Sequence, residues 1–254
     1  MNGTSGYEEA AAQGLLAGIN AALYCKGEEP FTLGRDEAYL GVLVDDLSLK
    51  GTPEPYRMMT SRCEYRLLLR QDNADLRLTE KARRTGLISD ARYDALMRKQ
   101  ARTAEALAAL NGVLPPSEAL SALLTRKSES VPRGGVRLFD LLKRPGMTYT
   151  ELTALCDSLP ALDWEITEQV ETLARYDGYL QKERDAVERA RALEKLPLPA
   201  DLCYAALDGL RLEARQKLDR LKPASIGAAS RISGVTPADV NVLLIYAKRG
   251  FAHA

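Results

Sequence analysis

Apolar residues return at helical spacing through most of the second half of the chain. Ile166, Leu173, Leu180 and Val187 recur at seven-residue intervals, with Tyr176 and Ala190 beside them. This pattern predicts one long helix from Trp164 to about Leu196, ended by Pro197 and Pro199. About 30 residues at ~1.5 Å each would make a rod of roughly 45 Å, with Gly178 as the candidate kink. Glu171 with Arg175, and Asp185 with Arg189, stand four apart on its outer face. Further upstream, Ser89 or Asp90 caps a helix with a predicted inner face of Tyr93, Leu96, Met97, Ala101, Ala104, Leu107 and Ala108. Asn111-Gly112 stops that helix, and Pro115-Pro116 seals the stop. Leu138–Leu142 reads as a short helical turn. Thr148 and Glu151 form a capping box that opens a helix to about Ser158.

The C-terminal stretch reads as three helices. The first runs from Asp208 to Leu221, with Leu212, Leu218 and Leu221 inward. The second is Ser225–Ile232. Thr236 caps the third, with Pro237 at its preferred first position and Val240, Leu243, Leu244 and Ala247 inward.

The first half is less regular. A polar turn, Asn2-Gly3-Thr4-Ser5-Gly6, runs into a helix, and Ser5 with Glu8 matches a capping box. Ala10, Ala11, Gly14, Ala17, Gly18 and Ala21 give that helix a smooth face, suited to close approach by another backbone. Arg35–Leu47 is apolar enough for a helix or a strand. Gly51-Thr52-Pro53-Glu54-Pro55 breaks it. Tyr65–Arg70 is a short strand or the start of a helix; six residues do not decide. Thr125–Gly135 has no apolar period and reads as a basic loop. The expected fold is mainly α, with many helices, at most a short β element near Tyr65, and a small helix-turn-helix-like subdomain at the end. The expected divisions are 1–28, 29–165 and 166–254.

Composition narrows the chemistry. Across 254 residues, 35 basic and 35 acidic side chains cancel. No global field draws the chain to nucleic acid or to an anionic membrane, so an RNA contact requires a local patch. Cys25, Cys63, Cys156 and Cys203 lie far apart, without zinc spacing, and read as free, buried thiols of a reducing cytoplasm. The single histidine, His253, is second from the end, which argues against a histidine base or a His-rich metal site. No metal is expected. No apolar run reaches the ~18 residues of a membrane span. A soluble, cytoplasmic chain with no membrane partner is expected.

One local patch stands out. Glu54 to Asp75 holds Arg57, Arg62, Arg66 and Arg70, with Tyr56 and Tyr65. Arginine suits bidentate phosphate binding, and the tyrosines can stack on bases. The competing reading pairs each arginine with a nearby carboxylate: Glu54, Glu64, Asp72 or Asp75. The Gly3–Gly6 turn can cradle an anion or a cofactor oxygen on its backbone N–H groups. Ile226 to Pro237 has the outline of a helix-turn-helix. The positions that would read a groove are Ala238, Asp239, Val240, Asn241 and Val242, and a carboxylate there repels phosphate. A helical packing or docking module explains that segment better than DNA recognition does.

Taken together, these stretches resemble one family. Asn2 to Leu15, Glu37 to Leu47, Glu54 to Asp75, Leu76 to Glu80, Tyr176 to Leu180 and Pro223 to Val240 are similar to motifs of the bacterial GidA (MnmG) family. That family is the FAD-binding subunit of the tRNA uridine 5-carboxymethylaminomethyl modification enzyme. The resemblance runs the length of the chain and implies its C-terminal helical region together with the last helix of a flavin domain. The family's GxGxxG motif is absent here and its catalytic cysteines lie upstream, so the resemblance implies a fragment that is not catalytic alone. It implies FAD in the whole enzyme, a homodimer, tRNA as substrate, and a partner GTPase, MnmE. Gly3, Thr4, Ser5 and Gly6 would sit by the flavin. Arg57, Arg62 and Arg66 are expected to face tRNA or substrate. Ser225, Arg231, Ile232, Val235 and Leu244 are expected to serve partner docking. Cys63 stands where relatives often carry alanine, and Ala228 where they commonly carry glutamine. The alternative reading is a stand-alone helix-turn-helix nucleic-acid-binding or protein-interaction module.

Overall fold

The computed structural model describes residues 3–49 and 54–250. His253 and the Gly51-Thr52-Pro53 part of the expected break lie outside them. Among the described residues the chain forms twelve α-helices and one two-stranded antiparallel sheet, so the mainly α expectation holds. The sheet is not near Tyr65. It pairs β1 (Val113–Leu114) with β2 (Val136–Arg137), Val113 opposite Arg137. Tyr65–Arg70 carries no strand, and a 3₁₀ turn, Thr60–Arg62, precedes it. Two compact units emerge: Met1–Arg66 with Glu183–Ala254, and Leu67–Lys182.

In the unit Leu67–Lys182 the first helices are α3 (Ala74–Arg84) and α4 (Asp90–Ala109). The Ser89 hydroxyl caps α4 by accepting from the Arg92 N–H. The buried face of α4 is Leu96, Thr103 and Ala106, whereas Ala101, Ala104 and Ala108 are exposed. Alanine offers too little apolar contrast to fix a helix face, which is why the predicted face was rotated. After β1 come α5 (Glu118–Arg126), β2, α6 (Leu138–Leu142), α7 (Tyr149–Thr153) and α8 (Trp164–Arg175). The capping box of Thr148 and Glu151 forms as expected. Leu110, Leu124, Leu141, Leu142, Met147, Leu152, Val170 and Ala174 pack into one core. Each fully buried leucine contributes about 2 kcal/mol of hydrophobic stabilisation.

The long helix is two helices. α8 stops at Tyr176, where φ is −99° and ψ 8°, and α9 runs Asp177–Glu194. Gly178 lies inside α9, so the break is two residues earlier than the expected kink. The Leu180 N–H still bonds the Tyr176 carbonyl at 2.8 Å, so the seven-residue apolar spacing survives the break.

In the other unit, α1 (Tyr7–Lys26) and α2 (Tyr39–Leu49) come first. The Ser5 and Glu8 capping box does not form: Gly6 is the N-cap and no side chain caps α1. The C-terminal part holds α10 (Leu212–Leu221), α11 (Ile226–Ser230) and α12 (Pro237–Lys248). α10 begins four residues later than expected, after Gly209 takes a left-handed φ of 89°. Leu212 is therefore exposed, and Ala214 and Leu218 face inward. Thr236 and Asp239 close a capping box on α12, with Pro237 inside it. Leu202, Tyr204, Leu207, Leu218, Ile226, Ala229 and Leu243 form this second core. The cysteines are only partly as expected: Cys63 is buried, Cys156 half-buried, and Cys25 and Cys203 exposed. Among the described residues no helix is long and apolar enough to cross a membrane.

Candidate functional site

The glycine turn and the arginine stretch meet at Tyr56. Its N–H donates to the Gly3 carbonyl, and its carbonyl accepts from the Ser5 N–H at 3.0 Å, making a parallel bridge at Thr4. Its hydroxyl donates to Asp46 Oδ2 at 2.8 Å. Its ring lies under the Arg62 guanidinium, 4.3 Å from ring centroid to Cζ. Tyr56 is buried, so it cannot stack on a base as the sequence suggested. Two residues on, the Met58 N–H donates to Glu9 Oε1 at 2.8 Å. That bond holds the Glu9 carboxyl below its usual range, and Arg57, with Nε 3.9 Å from Oε1, adds to the effect. Glu9 Oε2 is buried without a partner among the described residues. A Cβ on Gly6 would fall 1.7 Å from that oxygen, so a larger residue there would displace the Glu9 carboxylate.

The four arginines do not behave alike. Arg57, Arg62 and Arg66 are exposed and belong to the same unit as the turn. Arg62 Nε donates to the Arg57 carbonyl at 2.9 Å, and Arg66 Nε to the Cys63 carbonyl at 3.5 Å. Carbonyl bonds fix these side chains without consuming their charge. Arg70, by contrast, is paired with Asp72 at 3.0 Å and lies in the other unit. Of the candidate carboxylates, Glu64 is taken by Arg35 at 2.6 Å and Asp75 by Lys99 at 2.8 Å. Burial pushes the Cys63 thiol up, which makes it a poor nucleophile.

Arg35 is the hub that sequence reasoning missed. It pairs with Asp45 at 2.9 Å, Asp46 at 2.8 Å and Glu64 at 2.6 Å. It therefore braces Asp46 from the side opposite Tyr56. Burial works against its charge, and Glu64 and Asp46 more than reverse that, raising its pKa. The only sequence signal was a basic residue directly before the acidic pair Asp36-Glu37, with a second pair, Asp45-Asp46, ten residues on. A cleft of about 580 Å³ opens beside it, lined by Asp36, Tyr65, Arg191, Glu194 and Arg231 among others. Arg191 pairs with Asp36 at 2.5 Å, and Arg231 with Asp45 at 2.9 Å and with Glu194. Each of the cleft's three arginines already has a carboxylate, so it is an ion-pair network more than an open anion site.

The residues expected to serve docking fall into two groups. Ser225 and Arg231 converge on Glu194: Ser225 Oγ donates to Glu194 Oε2 at 2.6 Å and also caps α11. Ile232, Val235 and Leu244 pack in or against the C-terminal core. Asp239 is also internal. It binds Arg211 at 2.7 Å and both donors of Thr236, so it does not face outward as a groove-reading position would.

Three family descriptions match successive stretches. Residues 1–29 match "Glucose inhibited division protein A", residues 90–184 the "tRNA modifying enzyme MnmG/GidA C-terminal helical domain", and residues 186–254 the "tRNA modifying enzyme MnmG/GidA C-terminal helical bundle". The chain is 54% identical over 252 residues to the tRNA uridine 5-carboxymethylaminomethyl modification enzyme MnmG of Heliobacterium modesticaldum, covering 97% of this chain and 39% of that protein. It is 51% identical to the enzyme of the same name from Alkaliphilus metalliredigens, again over 97% of this chain and 39% of the relative. The form II crystal structure of Aquifex aeolicus GidA superposes with a TM-score of 0.77 at 38% identity, over 97% of this chain and 39% of that one. The chain thus spans about two fifths of the length of the relatives it matches. It belongs to the MnmG/GidA family and corresponds to that family's C-terminal helical region.

Proposed function

We propose that this chain is the tRNA-binding and partner-docking part of a cytoplasmic flavoenzyme that modifies C5 of the wobble uridine in tRNA, and that it is not catalytic alone. The observation that carries this reading is the convergence of the Gly3–Gly6 turn and Arg62 on Tyr56, with Arg57 beside them on Glu9. It couples a candidate cofactor turn to a cluster of exposed guanidiniums.

The turn fits the edge of a flavin better than its pyrophosphate. α1 opens without a side-chain cap, so its first-turn amides are available to a ligand oxygen. Glu8 and Glu9 already offset the positive end of the helix, which favours a neutral carbonyl oxygen over a phosphate. In this reading Gly3, Thr4, Ser5 and Gly6 line one side of FAD, which supplies the redox chemistry when bound. Arg57, Arg62 and Arg66 hold tRNA phosphates near it.

Docking of the partner GTPase MnmE is assigned to the C-terminal helices. Ser225, Arg231, Ile232, Val235 and Leu244 hold α11 and α12 in place, and the outer face of α12 offers the exposed Ile245. Homodimerisation belongs to the same reading of the whole enzyme.

The test uses a full-length MnmG relative carrying this chain as its C-terminal part. Replacing Arg62 and Arg66 by alanine weakens tRNA binding and lowers the salt-dependence slope by about 0.7 to 0.9 per lost phosphate contact. Unchanged affinity and slope would overturn the tRNA assignment. Ile245→Asp weakens capture of MnmE; full capture would remove the docking assignment.

A further inference from the structure

A pocket of about 400 Å³ lies at the first turn of α1, wholly within the unit that contains Met1–Arg66. Ala12, Leu40, Leu43 and Met58 give it apolar walls, and Glu9 and Arg57 line it with polar groups. The exposed Glu8 lines it as well, so a phosphate entering here would meet two carboxylates. A neutral, flat ring suits such a site better.

One buried group in it lacks a partner. Glu9 is 5% exposed. Its Oε1 accepts from the Met58 N–H at 2.8 Å, but Oε2 is buried and makes no hydrogen bond among the described residues. The carboxyl is held below its usual range, so it is ionised and can only accept. A buried, ionised oxygen without a donor is costly, and a donor from outside the chain would remove that cost. Of the groups around Oε2, Arg57 is the one free to swing aside, because its side chain is 57% exposed.

We propose, on the reading that this chain serves an enzyme acting on a tRNA uridine, that the pocket receives the target uracil ring and that Glu9 reads its N3–H. An enzyme that alters a base takes it out of the stack and reads its pairing edge. Uracil presents there an acceptor, a donor and an acceptor. Glu9 Oε2 takes the N3–H. The Arg57 guanidinium donates to a flanking ring carbonyl, and its five N–H groups leave donors for the phosphate assigned to it above. The apolar walls cover the ring faces. C5 lies on the opposite edge of the ring, away from these contacts. Cytosine is rejected, because its N3 carries a lone pair where uracil carries a proton, and that lone pair would face the carboxylate.

The experiment uses the FAD-loaded full-length relative carrying this chain, with an anticodon stem-loop RNA that holds 2-aminopurine beside the wobble position. Emission of 2-aminopurine rises when its neighbour leaves the stack. The wobble base is uridine, 3-methyluridine or cytidine. The uridine RNA is expected to give a saturable rise, and the other two to bind about tenfold more weakly or worse. Glu9→Gln keeps an acceptor for the Met58 N–H but turns an NH₂ toward the ring. It should lose the preference for uridine and favour cytidine, with flavin absorbance and circular dichroism confirming the fold. The methylated RNA needs no altered protein, so it decides the matter even where Glu9→Gln fails to fold. An equal response to uridine and 3-methyluridine would overturn the proposal, as would an unchanged preference for uridine in a folded Glu9→Gln enzyme. If those RNAs still lose affinity when Arg62 and Arg66 are replaced by alanine, the tRNA reading survives that failure. RNA binding that is absent, or indifferent to Arg62 and Arg66, would overturn the tRNA reading and this inference with it.

Discussion

The Tyr56 hydroxyl donates to the Asp46 carboxylate at 2.8 Å, with both side chains buried. The tyrosine thereby fixes α2 to the segment that carries Arg57 and Arg62. Tyr56→Phe keeps the ring under Arg62 but leaves Asp46 one donor short. Arg35 still neutralises that carboxylate, so a loss of about 1 to 1.5 kcal/mol is expected in chemical denaturation. Tyr56→Ala also empties the ring's site and should cost about 3 to 5 kcal/mol.

Asp239 makes the C-terminal helices sensitive to acid. Burial alone would raise its pKa, but Arg211, the Thr236 hydroxyl and two backbone N–H groups lower it well below the usual aspartate range. A carboxylate depressed on folding adds stability at pH values above its unfolded pKa. That contribution fades as pH falls through the ordinary aspartate range, near 4, and on toward the lower folded value. Asp239→Asn is expected to cost about 2 kcal/mol at pH 7 and to flatten the loss of stability below pH 4. Thermal melts of both proteins between pH 2.5 and 7 check this.

Two glycines should respond to alanine in opposite directions. At Gly41, within α2, an added Cβ falls 2.1 Å from the Gly34 carbonyl oxygen. The obstacle is backbone, so the loop before α2 must move, at about 2 to 3 kcal/mol. At Gly178, exposed near the start of α9, a Cβ meets nothing. Gly178→Ala should stabilise the chain by about 0.5 to 1 kcal/mol through helix propensity alone.

Arg231→Ala removes the pairs to Asp45 and Glu194 together. Arg35 still answers Asp45, and Ser225 still answers Glu194. A moderate loss of about 1 to 2 kcal/mol is expected, shrinking in high salt because the cleft is open to water. Urea titrations at low and high sodium chloride check it.

Several caps of this fold were legible in the sequence, though not the start of α1, where the Ser5–Glu8 box does not form. Ser89, Thr148 and Thr236 cap where their spacing to the following helix said they would. Local hydrogen bonds decide such features, and the residues that make them are adjacent. Helix faces were illegible where alanine marked them, as on α4, and where the helix start was misplaced, as on α10, whose predicted inward Leu212 and Leu221 are exposed. The candidate site was legible as a set of residues: the turn, the arginines and Tyr56 were all named. Their roles were not, because Tyr56 is buried by a partner ten residues away and Arg35 is built into a network by residues as far off as Glu64. Charge pairs at long sequence distance leave no periodic trace. The break at Tyr176 was hidden for a different reason: two helices that share a seven-residue apolar spacing look like one.

Residues 1–66 share a compact unit with 183–254, so the segment 67–182 is an insertion within a discontinuous fold. During synthesis the inserted segment is complete long before its host. It has its own core and needs no residue still to be made. The host must wait for Arg231 to meet Asp45, 186 residues behind it. Within this stretch α1, α2 and the arginine segment therefore precede the inserted segment in sequence, yet depend on contacts with residues that follow it.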